Sequence, residues 1–161
     1  MTTALSQREG EPSAYHLARG TWTHAAVARV DLDLPLDTSA AATARRALET
    51  SLGAQLDGDE DVRVKLLMSE LVTNAVRHSG APPASAIDVH VALASGCIRC
   101  EVADAGAGFR PAETPMPRSA GQGGWGLFIV NVEASRWGAS SESGSCVWFE
   151  LDRGARAEAA A

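Results

Sequence analysis

The chain is poor in features that mark several classes of protein. It has a single lysine, three cysteines, 5% aromatic residues and a net charge of −6. The lack of clustered cations argues against direct nucleic-acid binding, which depends on counterion release. No apolar stretch reaches membrane-spanning length, and residues 1–13 lack an apolar run flanked by basic residues. Neither a membrane span nor a secretory signal is therefore predicted, and a cytoplasmic location is expected.

The cysteines do not indicate a disulfide framework, because their number is odd. Cys97 and Cys100 form a C-x-x-C pair, a spacing that invites a metal interpretation. Both lie in or beside strand-like sequence, where residues three apart point to opposite faces. No second pair exists, so we expect structural cysteines.

What remains is an ordinary globular composition, with 45% hydrophobic residues in 161, enough for one domain with a sizeable core. We expect a flexible segment at 1–22, one domain at 23–152 and a disordered tail at 153–161. Periodicity and turn signals predict strands and helices in the order β-α-α-β-β-loop-α-β. The predicted strands are 26–34, 86–94, 97–104 and 146–151, and the predicted helices are 40–52, 58–79 and 125–135. This order predicts an α/β two-layer sandwich with the helices on one face of the sheet.

The second predicted helix carries a polar face. Glu70 and Asn74 lie four residues apart, one above the other, and Arg77 and His78 extend that face by another turn. An asparagine on an inward-facing helix is costly unless its amide is satisfied. Mg²⁺, which takes hard oxygen ligands and few protein groups beside phosphates, would satisfy it. A solvated helix face with ordinary polar residues is the alternative.

Asp104 ends a predicted strand and is followed by glycines at 106 and 108. A carboxylate there can accept a hydrogen bond from the exocyclic amine of adenine, whereas guanine presents a carbonyl that would repel it. The glycines let the chain turn and let a flat base approach the backbone. An ordinary strand-to-loop turn is the alternative.

Residues 121–126 spell G-x-G-x-x-G ahead of the third predicted helix. A dinucleotide-binding fingerprint is excluded because a proline-containing connection, 109–123, precedes the glycines instead of a strand. A P-loop is excluded because no Lys-Ser/Thr follows Gly126, and the motifs of a protein-kinase domain are missing. Glycine-rich backbone running into a helix N-terminus can still bind an anion through free N–H groups. A flexible loop before a helix is the alternative.

These three segments occur in one order with compatible spacing, and together they resemble the Bergerat-fold (GHKL) ATPases, the superfamily of gyrase, histidine kinases and MutL. Within it, the chain most resembles the small anti-sigma-factor serine/threonine kinases of spore-forming and actinomycete bacteria. Residues 70–79 are similar to that group's N-box, 104–108 to its first glycine box, 124–127 to its second and 147–151 to its last strand. The resemblance implies a mixed, mostly antiparallel sheet with helices on one face.

The resemblance also implies roles for individual residues in a site for ATP and Mg²⁺. Asn74 would hold the metal, Asp104 would read adenine, and Glu70 would be the catalytic base toward a serine hydroxyl. Residues 109–123 would form a lid over the nucleotide, and the place of Arg118, eight residues before Gly126, departs from the family pattern. The residues implied in nucleotide binding are Asn74, Arg77, His78, Asp104, Gly106, Gly108, Gly123, Gly124, Trp125, Gly126 and Leu127.

The expected function is that of an anti-sigma factor that phosphorylates an anti-anti-sigma (STAS-type) protein and sequesters a sigma factor, as a homodimer. A nucleotide-gated regulator that binds protein without kinase activity is the alternative. A sensor histidine kinase is a third hypothesis, which would need a phosphoacceptor helix pair that residues 1–25 cannot form.

Overall fold

The computed structural model describes residues 25–107, 125–141 and 144–154. The described helices are α1 (Ala40–Leu52), α2 (Gly58–His78) and α3 (Trp125–Glu133), with a 3₁₀ turn at Gly53–Gln55. The described strands are β1 (Ala28–Pro35), β2 (Ala86–Leu93), β3 (Cys97–Asp104), β4 (Arg136–Ser140) and β5 (Ser145–Asp152). The predicted flexible segment 1–22 and residues 155–161 of the predicted tail lie outside the described residues.

The five strands form one sheet in the order β1-β2-β3-β5-β4. All four pairings in the described chain are antiparallel, in agreement with the mostly antiparallel sheet that the family likeness implied. The α/β two-layer architecture with helices on one face is confirmed, because α1, α2 and α3 all contribute to a core cluster with alternate residues of the strands. Phe149, Leu67 and Ile87 are fully buried in that cluster.

Helices α1 and α2 begin where their sequence signals place them. Helix α1 buries Ala40, Ala44, Leu48 and Leu52, spaced four apart along one stripe. Helix α2 opens with a capping box in which Asp57 Oδ1 accepts from the Glu60 N–H, and Glu60 Oε2 accepts from the Asp57 N–H. Three acids in the first turn and two basic residues in the last turn complement the helix dipole.

One strand was missed by the sequence analysis. The predicted order has no strand between the third helix and the last strand, but Arg136–Ser140 forms the edge strand β4, paired with β5. Helix α3 correspondingly ends at Glu133, two residues earlier than predicted. The ends of the other strands lie within two residues of the prediction, and those of β3 coincide with it.

Cys97, Cys100 and Cys146 are all buried thiols. Cys100 belongs to the core cluster shared with the helices, whereas Cys97 does not, as strand alternation requires. Among the described residues, no group of three or more His, Cys, Asp or Glu side chains could hold a metal ion. None of the described helices is both long and apolar enough to cross a membrane.

Candidate functional site

Glu70 and Asn74 meet the first turn of α3. The buried side of α2 (Leu67, Met68, Leu71, Val72 and Ala75) packs into the core, which leaves these two half-buried residues on the flank of the helix. A β-carbon built on Gly126 would lie 2.7 Å from Glu70 Oε2 and 3.4 Å from both Asn74 Oδ1 and Nδ2. The acid, the amide and the start of a helix therefore converge on one point.

The other end of α3 is tied to α2, which fixes this convergence. Arg63 Nη2 donates to the Glu133 carbonyl at 2.6 Å, and its guanidinium lies 3.6 Å from the Glu133 carboxylate. Trp137 Nε1 donates to Asn131 Oδ1 at 3.0 Å, which links α3 to β4. Helix α3 is thus anchored at its C-terminal end while its N-terminal end, the positive end of its dipole, lies beside Asn74.

Asp104, the last residue of β3, is held in place by the loop that follows it. The Gly106 N–H donates to Asp104 Oδ1 at 2.7 Å. A β-carbon on Gly106 would lie only 2.0 Å from the Ser79 carbonyl oxygen, so this loop packs directly on the C-terminal end of α2. Within the described residues the structure records this one donor to the carboxylate, which leaves Oδ2 to accept a hydrogen bond from a ligand.

A cavity of about 260 Å³ lies among α2, α3 and the strands β3 and β5. This volume is just below the roughly 300–1,000 Å³ of whole small-molecule sites, which suits the base of a nucleotide with its phosphates outside. Apolar side chains form its walls and Asp104 is its one acid. The lining residues are Leu71, Asn74, Ala75, His78, Ser79, Val102, Asp104, Leu127, Ser145 and Val147.

The structure gathers most of the predicted site residues that it describes. Asn74, His78, Asp104 and Leu127 line the cavity. Gly106, Gly126 and Glu70 contact those residues at its margin. Gly108, Gly123 and Gly124 lie outside the described residues, as do Arg118 and the whole predicted lid, 109–123.

Two predicted nucleotide-binding residues are not part of the cavity wall. Arg77 is exposed on the last turn of α2 and is not among the lining residues. Trp125 is 49% exposed and packs edge-to-face against Phe128, with ring centroids 5.8 Å apart.

Sequence reasoning missed the contribution of β5 to the site. Ser145 is paired directly with Asp104 in the β3–β5 register, and both line the cavity. Gly144, with φ +95°, precedes Ser145, and a β-carbon there would lie 2.6 Å from the Asp104 carbonyl oxygen. Only the pairing of two strands some forty residues apart brings Ser145 here, and no local motif marks that pairing.

The chemical groups of this site are suited to bind a nucleotide together with a divalent metal. Asp104 places a hydrogen-bond acceptor in an apolar slot, and the Gly126 position has no room for a side chain where α3 begins. Asn74 supplies one hard oxygen, and one or two protein oxygens beside phosphates are the usual ligand set of Mg²⁺.

The family profile described as "Histidine kinase-like ATPase domain" matches residues 34–151. The histidine kinase domain of the blue-light activated histidine kinase from Erythrobacter litoralis EL346 is similar in structure, with a TM-score of 0.48 and 19% identity, covering 79% of this chain and 69% of that chain. No curated protein sequence matches the chain. The span matched by the family profile contains every residue that lines the cavity.

Proposed function

The chain belongs to the histidine kinase-like ATPase family, and from that membership we propose that it is an ATP-dependent serine kinase that acts on an anti-anti-sigma protein and sequesters a sigma factor. Family membership supports nucleotide binding in the described cavity. The serine-kinase and anti-sigma parts of the proposal rest on the likeness of residues 70–79, 104–108, 124–127 and 147–151 to that group.

The observation that carries the proposal is the position of Glu70. Its carboxylate lies one helical turn from Asn74 and against Gly126 at the start of α3. A base for phosphoryl transfer has to reach the incoming hydroxyl beside the metal and the terminal phosphate. Among the described residues, Glu70 is the carboxylate that lies with Asn74 at the start of α3.

Each residue then has a defined task in the transfer. Asp104 accepts a hydrogen bond from the exocyclic amine of the purine, and the apolar walls cover the faces of the ring. Asn74 would hold the metal through Oδ1, and the N–H groups at the start of α3 would donate to phosphate oxygens. Bound MgATP supplies the phosphoryl group and neutralises the charge that develops on it. As the serine oxygen bonds to the γ-phosphorus, the bond from that phosphorus to the bridging oxygen of ADP breaks and ADP leaves, while Glu70 accepts the proton of the serine hydroxyl.

The test is transfer of label from γ-labelled ATP to a panel of STAS-domain proteins, with wild type and Glu70→Gln compared at equal nucleotide occupancy. We expect Glu70→Gln to keep nucleotide binding and to lose transfer by about 10²-fold or more, the usual contribution of a general base. Glu49→Gln, on the exposed face of α1, is the matched control and should transfer like wild type.

Two outcomes would change the proposal. If Glu70→Gln transfers label as well as wild type, Glu70 is not the base. If wild type binds ATP but labels no partner, the nucleotide-gated regulator without kinase activity replaces the kinase. The proposal also includes a cytoplasmic location and a homodimer, and sedimentation showing a monomer at micromolar concentration would remove the homodimer.

A further inference from the structure

Helices α2 and α3 lie side by side and run in opposite directions. Near the site, a β-carbon on Gly126 would lie 2.7 Å from Glu70 Oε2. At the other end of α3, Arg63 Nη2 donates to the Glu133 carbonyl at 2.6 Å. On each helix the two contact residues are seven residues apart. Seven helical residues span about 10 Å, so the two contacts lie at the two ends of one shared stretch of about two turns.

Arg63 holds α3 through the main chain of that helix. Glu133 is the last residue of α3, and the carbonyl groups in the last turn of a helix have no partner within the helix. The guanidinium satisfies one of them and lies 3.6 Å from the Glu133 carboxylate, at the negative end of the helix dipole. An ion pair between Arg63 Nη1 and Asp59 Oδ2, at 3.8 Å, joins the same guanidinium to the first turn of α2. Because Arg63 bonds to backbone, it fixes the place of the helix and not just that of one side chain.

Helix α3 is short enough to shift as one body. Its 9 residues form a rod about 13 Å long, so a displacement of its C-terminal end is carried to Gly126 at its start. The bond from Trp137 Nε1 to Asn131 Oδ1 holds α3 against β4, whereas the Arg63 contact sets its distance from α2. Arg63 is not among the residues that line the cavity. It can therefore act on a ligand in the cavity only through α3.

We propose that Arg63 is a positioning residue for the phosphates of the bound nucleotide. Through the Glu133 carbonyl it keeps the N–H groups at the start of α3 close enough to Asn74 for both to hold one phosphate chain and its metal. The proposal rests on the nucleotide-binding part of the proposed function and does not need kinase activity. The slot for the base is built differently, with Asp104 and Ser145 on β3 and β5. The recorded contacts of Arg63 in the described chain reach only α2 and α3, so it should affect phosphate binding and not base binding.

Calorimetric titration with ATP, ADP and adenosine in Mg²⁺ tests the proposal, because these ligands share the base and differ in their phosphates. For Arg63→Met, which has no donor, we expect the Kd of ATP and of ADP to rise about tenfold, near the lower end of the loss of a hydrogen bond to a charged group. The Kd of adenosine should stay at its wild-type value. Arg63→Lys keeps a donor for the Glu133 carbonyl but not the fork of donors, and should raise the Kd of ATP and of ADP by a smaller factor, about threefold.

Arg45→Met is the matched control for these titrations. Arg45 Nη1 donates to Ser69 Oγ at 3.0 Å, so this arginine joins α2 to α1 and not to α3. The control should bind all three ligands like wild type. Amide hydrogen exchange of the nucleotide-free proteins follows the movement of α3 separately. In Arg63→Met the amides of residues 129–133 should exchange at least about threefold faster, as local loosening allows, while those of α1 keep their wild-type rates.

An equal rise in the Kd of ATP and of adenosine would overturn the proposal, because the whole site would then have loosened. An unchanged Kd for all three ligands, or unchanged exchange in α3, would overturn it as well. Each of these results leaves the proposed function standing, because wild type still binds ATP. If wild type binds neither ATP nor ADP, the proposed function falls and the role of Arg63 falls with it. If Arg63→Met unfolds, the same comparison of ATP with adenosine in Arg63→Lys decides.

Discussion

The space between the start of α3 and the side chain of Glu70 has no room for one more methyl group. A β-carbon on Gly126 would lie 2.7 Å from Glu70 Oε2. The nearest atom is the end of a flexible side chain, so an added methyl group would move the carboxylate without breaking the backbone. The position of Glu70 can therefore be perturbed without touching Glu70 itself.

Gly126→Ala should lower phosphoryl transfer much more than nucleotide affinity. A displacement of a catalytic group by about 1 Å can reduce a rate by about 10²-fold, and we expect a loss of that order in kcat. Steady-state transfer with a separate measurement of ATP affinity checks it. Gly58→Ala is the control, because a β-carbon at Gly58 meets nothing within 4 Å. A fall in affinity that accounts for the whole loss would contradict this reading of the Gly126 contact.

Glu150 forms ion pairs with Arg99 and Arg136, so the stability that these pairs provide depends on pH. Burial alone would raise the pKa of its carboxyl, but hydrogen bonds from Arg136 and Arg99 outweigh burial and hold the pKa below its ordinary value. A carboxyl whose pKa is lower in the folded than in the unfolded chain stabilises the fold above the unfolded pKa, about 4.3 for glutamate. That stabilisation is lost as the pH falls through the folded pKa.

Chemical denaturation between pH 7 and pH 3 should show this loss as a difference between two proteins. The gap in free energy of unfolding between wild type and Glu150→Gln should narrow as the pH falls below about 4.3. Arg136→Met removes one of the two donors to Glu150. In this variant the free energy of unfolding should depend on pH less steeply than in wild type. A gap that stays constant with pH would show that the Arg136 and Arg99 hydrogen bonds do not set the titration of Glu150.

The helices and most strands were predictable because each has its own local signals. Helix α1 has an N-cap cluster before it and a glycine after it, and its predicted limits are those of the structure. Strands β2 and β3 alternate and are separated by Ser95 and Gly96 at a hairpin. Strand β4 was missed because its five residues lack such alternation: Gly138 lies against the Trp148 ring, which no sequence pattern indicates.

The site was predictable to the same extent as its elements. Glu70, Asn74, Asp104 and Gly126 belong to segments with recognisable spacing, and the structure brings them to one cavity and its margin. Ser145 and Val147 were missed because only the β3–β5 pairing places them beside Asp104. Arg77 was assigned with its helix face, but it extends that face past the cavity.

Arg153 joins the end of β5 to three other elements. Its guanidinium pairs with Glu60 at 2.9 Å, and donates to the carbonyls of Gln55 at 2.8 Å and Ala94 at 3.2 Å. Glu60 is also the N3 residue of the α2 capping box, so one arginine supports the start of the helix that carries Asn74. The sequence analysis had assigned Arg153 to the disordered tail.

Arg153→Ala should destabilise the fold while leaving ATP affinity unchanged. Removing the donor leaves a largely buried carboxylate and two carbonyls short of partners, which costs about 1–3 kcal/mol. Arg153→Lys keeps the charge but not the fork of donors, and should give an intermediate loss. Equilibrium urea denaturation measures both, with Arg46→Ala on exposed α1 as the control. A loss of unfolding free energy below about 0.5 kcal/mol, typical of surface positions, would show that Arg153 contributes no more to stability than an exposed residue does.

Several helices and strands of the domain end or begin at the place where the nucleotide is proposed to bind. The C-terminal end of α2, the end of β3, the start of β5 and the start of α3 all meet at the cavity. Each of these ends is separated from the others along the chain, so the site exists only in the folded molecule. A ligand that binds there must stabilise the entire cooperative unit and not one element.

MgATP should therefore raise the melting temperature of the whole domain, and the size of the shift separates the roles of two residues. At 100 times Kd, binding to the folded state alone adds about 2.7 kcal/mol, or roughly 5–10 °C for a domain of this size. The melting temperature of Asn74→Ala should rise by the same small amount with ATP in EDTA as with ATP and Mg²⁺, because the proposed metal ligand is gone. GTP should produce little shift in either protein, because Asp104 Oδ2 meets a carbonyl instead of an amine. If ATP and GTP stabilise equally, Asp104 does not read the base, and if Asn74→Ala keeps the Mg²⁺-dependent increment, the amide does not hold the metal.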